Sequence, residues 1–264
     1  MDVVINSDCS FSPDPKSLLN GYSNYHLNIF KCLDYPDEQI PLASLLSSHH
    51  SLHGQWLVVT PIFWQASHNN AVILACDAKL NLLEEEAREL FDKFSIFAKE
   101  SGMQAYFHDR YTWLLECDGK PSTQSIPPHR LLHQPIFPHL KNMDSTLYWQ
   151  RFITEIQMLF IDQKKVNGVW LWGNGDLHNP VNRCILVNDS KTHALAQLLS
   201  QRVNYFAHSK PTKKALLLLD SMNQEEENLL RAKLSHLHVN WYWNNVAYSS
   251  RPQSWFSRWI KRVS

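Results

Sequence analysis

Two periods of hydrophobicity alternate along this chain: short apolar runs of strand length, and longer stretches whose apolar positions repeat at helical spacing. Residues 70–76, NAVILAC, are a near-continuous apolar run, the pattern of a strand covered on both faces. A helix follows. After Asn81, the residues Leu82, Leu83, Ala87, Leu90, Phe91, Phe94 and Phe97 form one stripe, acids crowd its start, and Gly102 marks its stop. Residues 104–116, QAYFHDRYTWLLE, alternate as two strands or one bent strand, with Asp118-Gly119 as a turn. Strand, helix and strand in that order predict an α/β layer.

The alternation continues to the C-terminus. Residues 142–177 read as a helix carrying Trp149, Phe152, Ile153, Ile156, Met158 and Leu159, then a polar turn, then a strand VWLW that ends in Gly173-Asn174-Gly175. Residues 183–188 predict a strand, 190–199 a helix, 214–220 (KALLLLD) a buried strand, 224–237 an amphipathic helix and 239–243 a last strand. The fold class expected is α/β, a mainly mixed sheet with helices on both faces.

Less periodic segments complete the expectation. Residues 1–24, rich in Ser, Asn, Asp and Pro, read as a flexible arm. An apolar segment at 25–33 precedes a helix over PLASLLSSHH, and QWLVVT at 55–60 is a strand stopped by Pro61. The proline-rich 122–140 excludes a regular helix. One α/β domain over 25–250 and a basic, aromatic tail at 251–264 follow from this division.

Composition narrows the class. Lys+Arg and Asp+Glu balance at 25 each, so no global charge draws the 264-residue chain to nucleic acid or an anionic membrane. Five scattered cysteines with no CxxC point to reduced thiols, and neither a signal peptide nor a transmembrane run is present. A cytoplasmic protein is expected. Ten tryptophans are unusual; indole is foremost a packing group, and secondarily a stacking wall.

Three groups carry candidate chemistry. Gly173-Asn174-Gly175, with Asn167 ahead of its strand, offers backbone N–H groups to an anion or is a plain strand-end turn. His108-Asp109-Arg110 is either an anion clamp or a solvated edge. Pro127-Pro128-His129-Arg130 is a stiffened loop able to present His129 and Arg130 to a ligand, or a surface loop. His49, His50 and His53 at a helix end are a weak metal signal beside a dipole-complementing one. No G-x-S-x-G, HExxH or Walker sequence occurs. In the tail, Trp255, Phe256 and Trp259 share helical spacing with Arg258, Lys261 and Arg262 nearby, which suits a protein partner, a membrane surface or the chain's own domain.

The order of pieces from about residue 62 to 177 resembles the middle of archaeal-type cofactor-independent phosphoglycerate mutases, of the alkaline-phosphatase-like class, and the short RpfE-type regulatory proteins. WQASHNNAVILACD leading into LNLLEEEARELFDKF, FHDRYTWLLE, IPPHR and NGVWLWGNG are the similar segments. The resemblance implies a reduced mutase-like core with substrate contacts at Arg110, His129, Asn167, Trp172, Gly173 and Gly175. Arg130 stands where the mutase loop has an acid, Gly173 follows Trp172 where many members have arginine, and neither metal-binding end is found. The function expected is therefore binding of a small phosphorylated or carboxylate ligand, through His108, Arg110, His129, Arg130, Asn167, Trp172, Gly173 and Gly175, or regulation, without catalysis, cofactor or metal. The alternative is a divergent mutase or phosphohydrolase using Mn or Zn.

Overall fold

A computed structural model describes residues 1–67 and 70–252. The chain forms two compact units: one from Met1–Asp34 and Asn179–Ser264, the other from Tyr35–His178. From the N-terminus, β1 (Asp2–Ile5) and α1 (Tyr25–Cys32) belong to the first unit. The second contains α2 (Leu42–His49), β2 (Trp56–Ser67), β3 (Asn70–Cys76), α3 (Glu84–Glu100), β4 (Ala105–Phe107), β5 (Trp113–Glu116), α4 (Phe137–Lys141), α5 (Tyr148–Leu159) and β6 (Gly168–Trp172). The chain then completes the first unit with β7 (Val181–Val187), α6 (Ser190–Leu199), β8 (Ser200–Tyr205), β9 (Leu216–Leu219), α7 (Gln224–Leu234), β10 (Val239–Tyr242) and β11 (Ala247–Ser250).

The first unit is an α/β layer around a six-stranded sheet in the order β11-β10-β1-β9-β7-β8, parallel except for β11. Its centre is β1. Val3, Val4 and Ile5 are fully buried, and the strand pairs with β9 on one side and β10 on the other. The flexible arm expected at 1–24 is corrected here. A four-residue strand among Asp, Asn and Ser is too short to show a period, yet its three apolar side chains sit among Leu217, Leu219, Val239 and Trp241 or across the sheet from them. Asn24 then caps α1, its Oδ1 accepting from the Leu27 N–H at 3.1 Å.

The second unit is built on an antiparallel five-stranded sheet, β3-β2-β5-β4, with β6 on the other side of β2. The single domain over 25–250 thus becomes two units, and the strands divide between two sheets within the expected α/β class. Pro61 does not end β2. It falls where pairing with β5 (Trp56 to Val59) has finished and pairing with β3 (Ile62 onward) has not begun, so its missing N–H interrupts no ladder there. The run 70–76 is an edge strand beside β2, with Ala71, Ile73 and Cys76 buried and the others half-buried rather than covered on both faces. Residues 122–140 do contain a short helix, α4, which Pro138 can enter because it lies in the first turn.

Aromatic packing fixes the helices of this unit. Phe94 of α3 meets Trp113 of β5 and Phe152 of α5, at ring separations of 5.4 and 6.5 Å. Asp144 organises the start of α5: its Oδ1 accepts from the Thr146 hydroxyl at 2.6 Å and the Tyr148 N–H at 3.1 Å, and its Oδ2 from the Trp149 N–H at 2.9 Å. The chain enters and leaves the unit at one place, where the Tyr35 and His178 rings stack 5.7 Å apart. All five cysteines are free thiols. Among the described residues, no helix is long and apolar enough to cross a membrane. The tail with Trp255, Phe256 and Trp259 lies outside the described residues.

Candidate functional site

The strand VWLW is wholly buried, and the chain leaves it through a left-handed Gly173 at φ 83°. A Cβ there would lie 2.8 Å from Val58 Cγ2, and the Gly173 carbonyl accepts from the Ala43 N–H at 2.9 Å. A Cβ on Gly175 would collide with the Gln39 carbonyl, and the Gly175 carbonyl accepts from Ser44 Oγ at 3.0 Å. Gly173 is therefore needed for close approach to Val58 of β2, and Gly175 for close approach to Gln39 and Ile40 in the segment that leads into α2.

The same turn forms one wall of a cleft of about 550 Å³, within the range of small-molecule sites. The facing wall is the loop 123–126, which is held at each end and in the middle. Trp149 Nε1 donates to the Pro121 carbonyl at 2.8 Å, Asn174 Nδ2 to the Thr123 carbonyl at 2.7 Å, the Gln124 N–H to Met143 O at 2.8 Å, and Trp170 Nε1 to the Ile126 carbonyl at 2.9 Å. Two of the tryptophans thus use their single donor to fasten this loop.

With its backbone so anchored, the loop turns two hydroxyls inward, out of reach of solvent. Thr123 is only 4% exposed, and its Oγ1 and the buried Oγ of Ser125 meet no hydrogen-bonding group. Both lie beneath the surface of the cleft rather than on it, each with less than 1 Å² accessible. Glu38, Asp176, His139 and His178 complete the cleft lining.

A second cavity, of about 440 Å³, lies in the first unit at the carboxyl ends of β7 and β9. The topology makes this a switch point, since β7 connects outward to β8 whereas β9 connects across β1 to β10. Its charges, however, are engaged. Asp189 accepts from the Thr192 N–H, Glu226 from the Asn223 N–H and Asp220 from Asn6 Nδ2, while Lys233 Nζ sits 4.0 Å from the Phe206 ring centre. None of its lining side chains is a buried polar group lacking a partner.

The eight residues expected to bind a ligand do not gather in one place. Gly175 lines the cleft and Gly173 shapes its turn. His129 and Arg130 lie in the turn Pro128–Arg130 just beyond the loop, outside the cleft lining. Asn167 holds the backbone of Trp64 at a bulge in β2, accepting from its N–H and donating to its carbonyl, both at 2.8 Å. Trp172 is buried and donates to Thr60 Oγ1 at 2.9 Å. Arg110 donates to the Leu82 carbonyl at 3.3 Å and lies over the Tyr111 ring. Asp109 Oδ1 closes the β4–β5 connection by accepting from the N–H groups of Tyr111 and Thr112, both at 2.8 Å.

His108 belongs to a pairing that spacing along the chain does not reveal. Its Nδ1 is 2.9 Å from Nε2 of His50, and His50 Nδ1 is 3.1 Å from the Tyr106 hydroxyl. His50, weighed as a helix-end residue, therefore joins α2 to β4. Among the described residues no group of three His, Cys, Asp or Glu is placed to hold a metal ion. Thr123, Ser125 and Asn174 were not among the expected ligand residues; a Thr, a Ser and an Asn beside proline and glycine give the same sequence signal as any turn.

Fold and cleft together define an α/β protein with a small polar-lined cleft. No protein-family model and no curated protein matches the chain. Among solved structures it is similar to a cofactor-independent phosphoglycerate mutase from Thermoplasma acidophilum DSM 1728. That likeness is 11% identical, covers 94% of this chain and 88% of that chain, and has a TM-score of 0.36.

Proposed function

We propose that the protein is a small-molecule-binding protein without catalytic activity, used for ligand sensing or regulation, and that its ligand occupies the cleft between the loop 123–126 and the turn 173–175. The observation that supports this is the cleft itself, about 550 Å³ lined mainly by polar side chains, with its facing loop already fastened to the rest of the unit. A loop fastened by four hydrogen bonds gives a ligand a wall that is already in place, which lowers the ordering cost of binding.

The test is an amide NMR screen of the full chain against small polar compounds, together with an assay for isomerisation of 3-phosphoglycerate in the presence of Mn. Binding should perturb residues 123–126 and 174–176, and no turnover should be seen. Perturbations centred instead on Asn188 and Asp220, or isomerisation at an ordinary enzymatic rate, would overturn the reading.

A further inference from the structure

We propose that His50 and His108 form a proton-operated latch on α2: the pair stays closed with no extra proton or with one, and a second proton opens it and loosens the turn 173–175. This adds a regulation to the cleft read above as the binding site. It is tested on the chain without ligand, so that the two readings can fail separately.

His50 closes α2, its N–H donating to the Leu46 carbonyl at 3.0 Å. Its Nε2 faces His108 Nδ1 at 2.9 Å, its Nδ1 faces the Tyr106 hydroxyl at 3.1 Å, and His108 Nε2 lies 3.7 Å from Asp109 Oδ2. Two imidazoles hold such a contact only while one facing nitrogen carries a proton and the other does not. Two protonation states meet that condition. With both rings neutral, the Tyr106 O–H donates to His50 Nδ1, His50 Nε2–H donates to His108 Nδ1, and His108 Nε2–H points toward Asp109. With one proton added, both bonds reverse: His108 Nδ1–H donates to His50 Nε2, and His50 Nδ1–H donates to the Tyr106 oxygen. The charge on His108 then faces the Asp109 carboxylate.

A second proton has no such arrangement. Both facing nitrogens would carry N–H groups, and two cations would stand with 5.1 Å between ring centres. His49 adds a third imidazole, edge-on to His50 at 5.0 Å. Asp109 is the carboxylate facing the pair, with Asp77 and Glu84 within its electrostatic reach. The closed pair takes up one proton fewer than two separate imidazoles would, so falling pH favours opening.

The helix carries the consequence to the cleft. At its other end the Ala43 N–H donates to the Gly173 carbonyl at 2.9 Å and Ser44 Oγ to the Gly175 carbonyl at 3.0 Å, while Gln39, just ahead, lines the cleft. One eight-residue helix thus ends at the imidazole pair and begins at the turn. Releasing His50 removes a side-chain tie between α2 and β4, and the turn that rests on α2 should open more often.

The experiment is imidazole and amide NMR of the full chain, titrated from about pH 8 to about pH 4 and repeated on His108→Asn. Asparagine keeps a carboxamide where Nδ1 stood and gains no proton. In the wild type both rings should report the same two steps, about one pH unit or more apart. At the lower step the amides of Ala43, Gly173 and Gly175 should shift, and their hydrogen exchange should rise about threefold or more relative to Val169 and Leu171. In His108→Asn that acid change should vanish although Asp77 is still present; should the variant not fold, the wild-type titration decides alone. Two rings that titrate independently, turn amides unmoved at the lower step, or the same change in His108→Asn would overturn the latch. So would an acid change spread equally to Val3 and Leu217, which would be general unfolding.

Discussion

The side-chain amide of Asn174 donates to the main-chain carbonyl of Thr123 at 2.7 Å, joining the turn after β6 to the loop across the cleft. This bond sets the cleft's width, because it lies between the two walls. Asn174→Ala should cost about 1 kcal/mol of stability, the net worth of one such bond. Its larger effect should be local, with faster amide hydrogen exchange at 123–126 than in the sheet, and with weaker ligand binding. Unchanged exchange in that loop would show that the two tryptophan anchors suffice.

The glycines of the turn should not tolerate a methyl group. Gly175→Ala would drive Cβ into the Gln39 carbonyl, and Gly173→Ala adds a left-handed backbone to a contact with Val58. Each should lose about 1–3 kcal/mol by urea unfolding. Gly119, at φ 70° with nothing within 4 Å of a Cβ, is the control and should lose only about 1 kcal/mol. A loss at Gly173→Ala no larger than at Gly119→Ala would mean that backbone conformation, and not close approach, is what Gly173 supplies, and an unchanged Gly175→Ala would remove the close approach to Gln39.

Asp77 provides a pH dependence. Burial, reinforced by the neighbouring Asp109 carboxylate and only partly offset by the Cys76 thiol, pushes its carboxyl up to about 7. In the unfolded chain the same group titrates near 4. The folded state therefore holds the proton more tightly, and this group lowers stability as pH rises from about 4 to 7, with the whole loss present above that window. Asp77→Asn removes the charge and suits the left-handed backbone at φ 51°. The variant should match the wild type near pH 4 and exceed it by about 2–4 kcal/mol at pH 8. A gap that stays constant with pH would contradict this.

Asn167 was expected at a ligand site, and the structure gives its amide to Trp64 instead. Asn167→Ala should therefore destabilise the second unit by about 2 kcal/mol, through two lost bonds at the bulge. Calorimetric affinity for a cleft ligand should stay within a factor of two or so once the variant is folded. An affinity loss without a stability loss would restore the original expectation.

How much could be read from the chain follows from element length. The stripe of α3, the helix α6 and the buried run at β9 were legible because each is long or apolar enough to show its period. The strands β1, β8 and β11 were not. Four to six residues of mixed polarity carry no period, and β1 is a strand only because β9 and β10 flank it. The division into two units escaped for the same reason, since it depends on residues 2–5 pairing with strands beyond residue 215. At the site, Gly173 and Gly175 announced a special turn, but whether chain or ligand approached it was a question of tertiary contact. The anchoring of the loop by Trp149 and Trp170 and the His50–His108 pair likewise join residues that the sequence keeps 28 to 58 positions apart.

The central claim is that a ligand occupies the cleft between the loop 123–126 and the turn 173–175, and the most direct measurement is the amide NMR spectrum of the full chain titrated with small polar compounds. The account predicts saturable shifts at residues 123–126 and 174–176 that weaken in Asn174→Ala. Saturable shifts centred on Asn188 and Asp220 instead, or none at any amide, would contradict it.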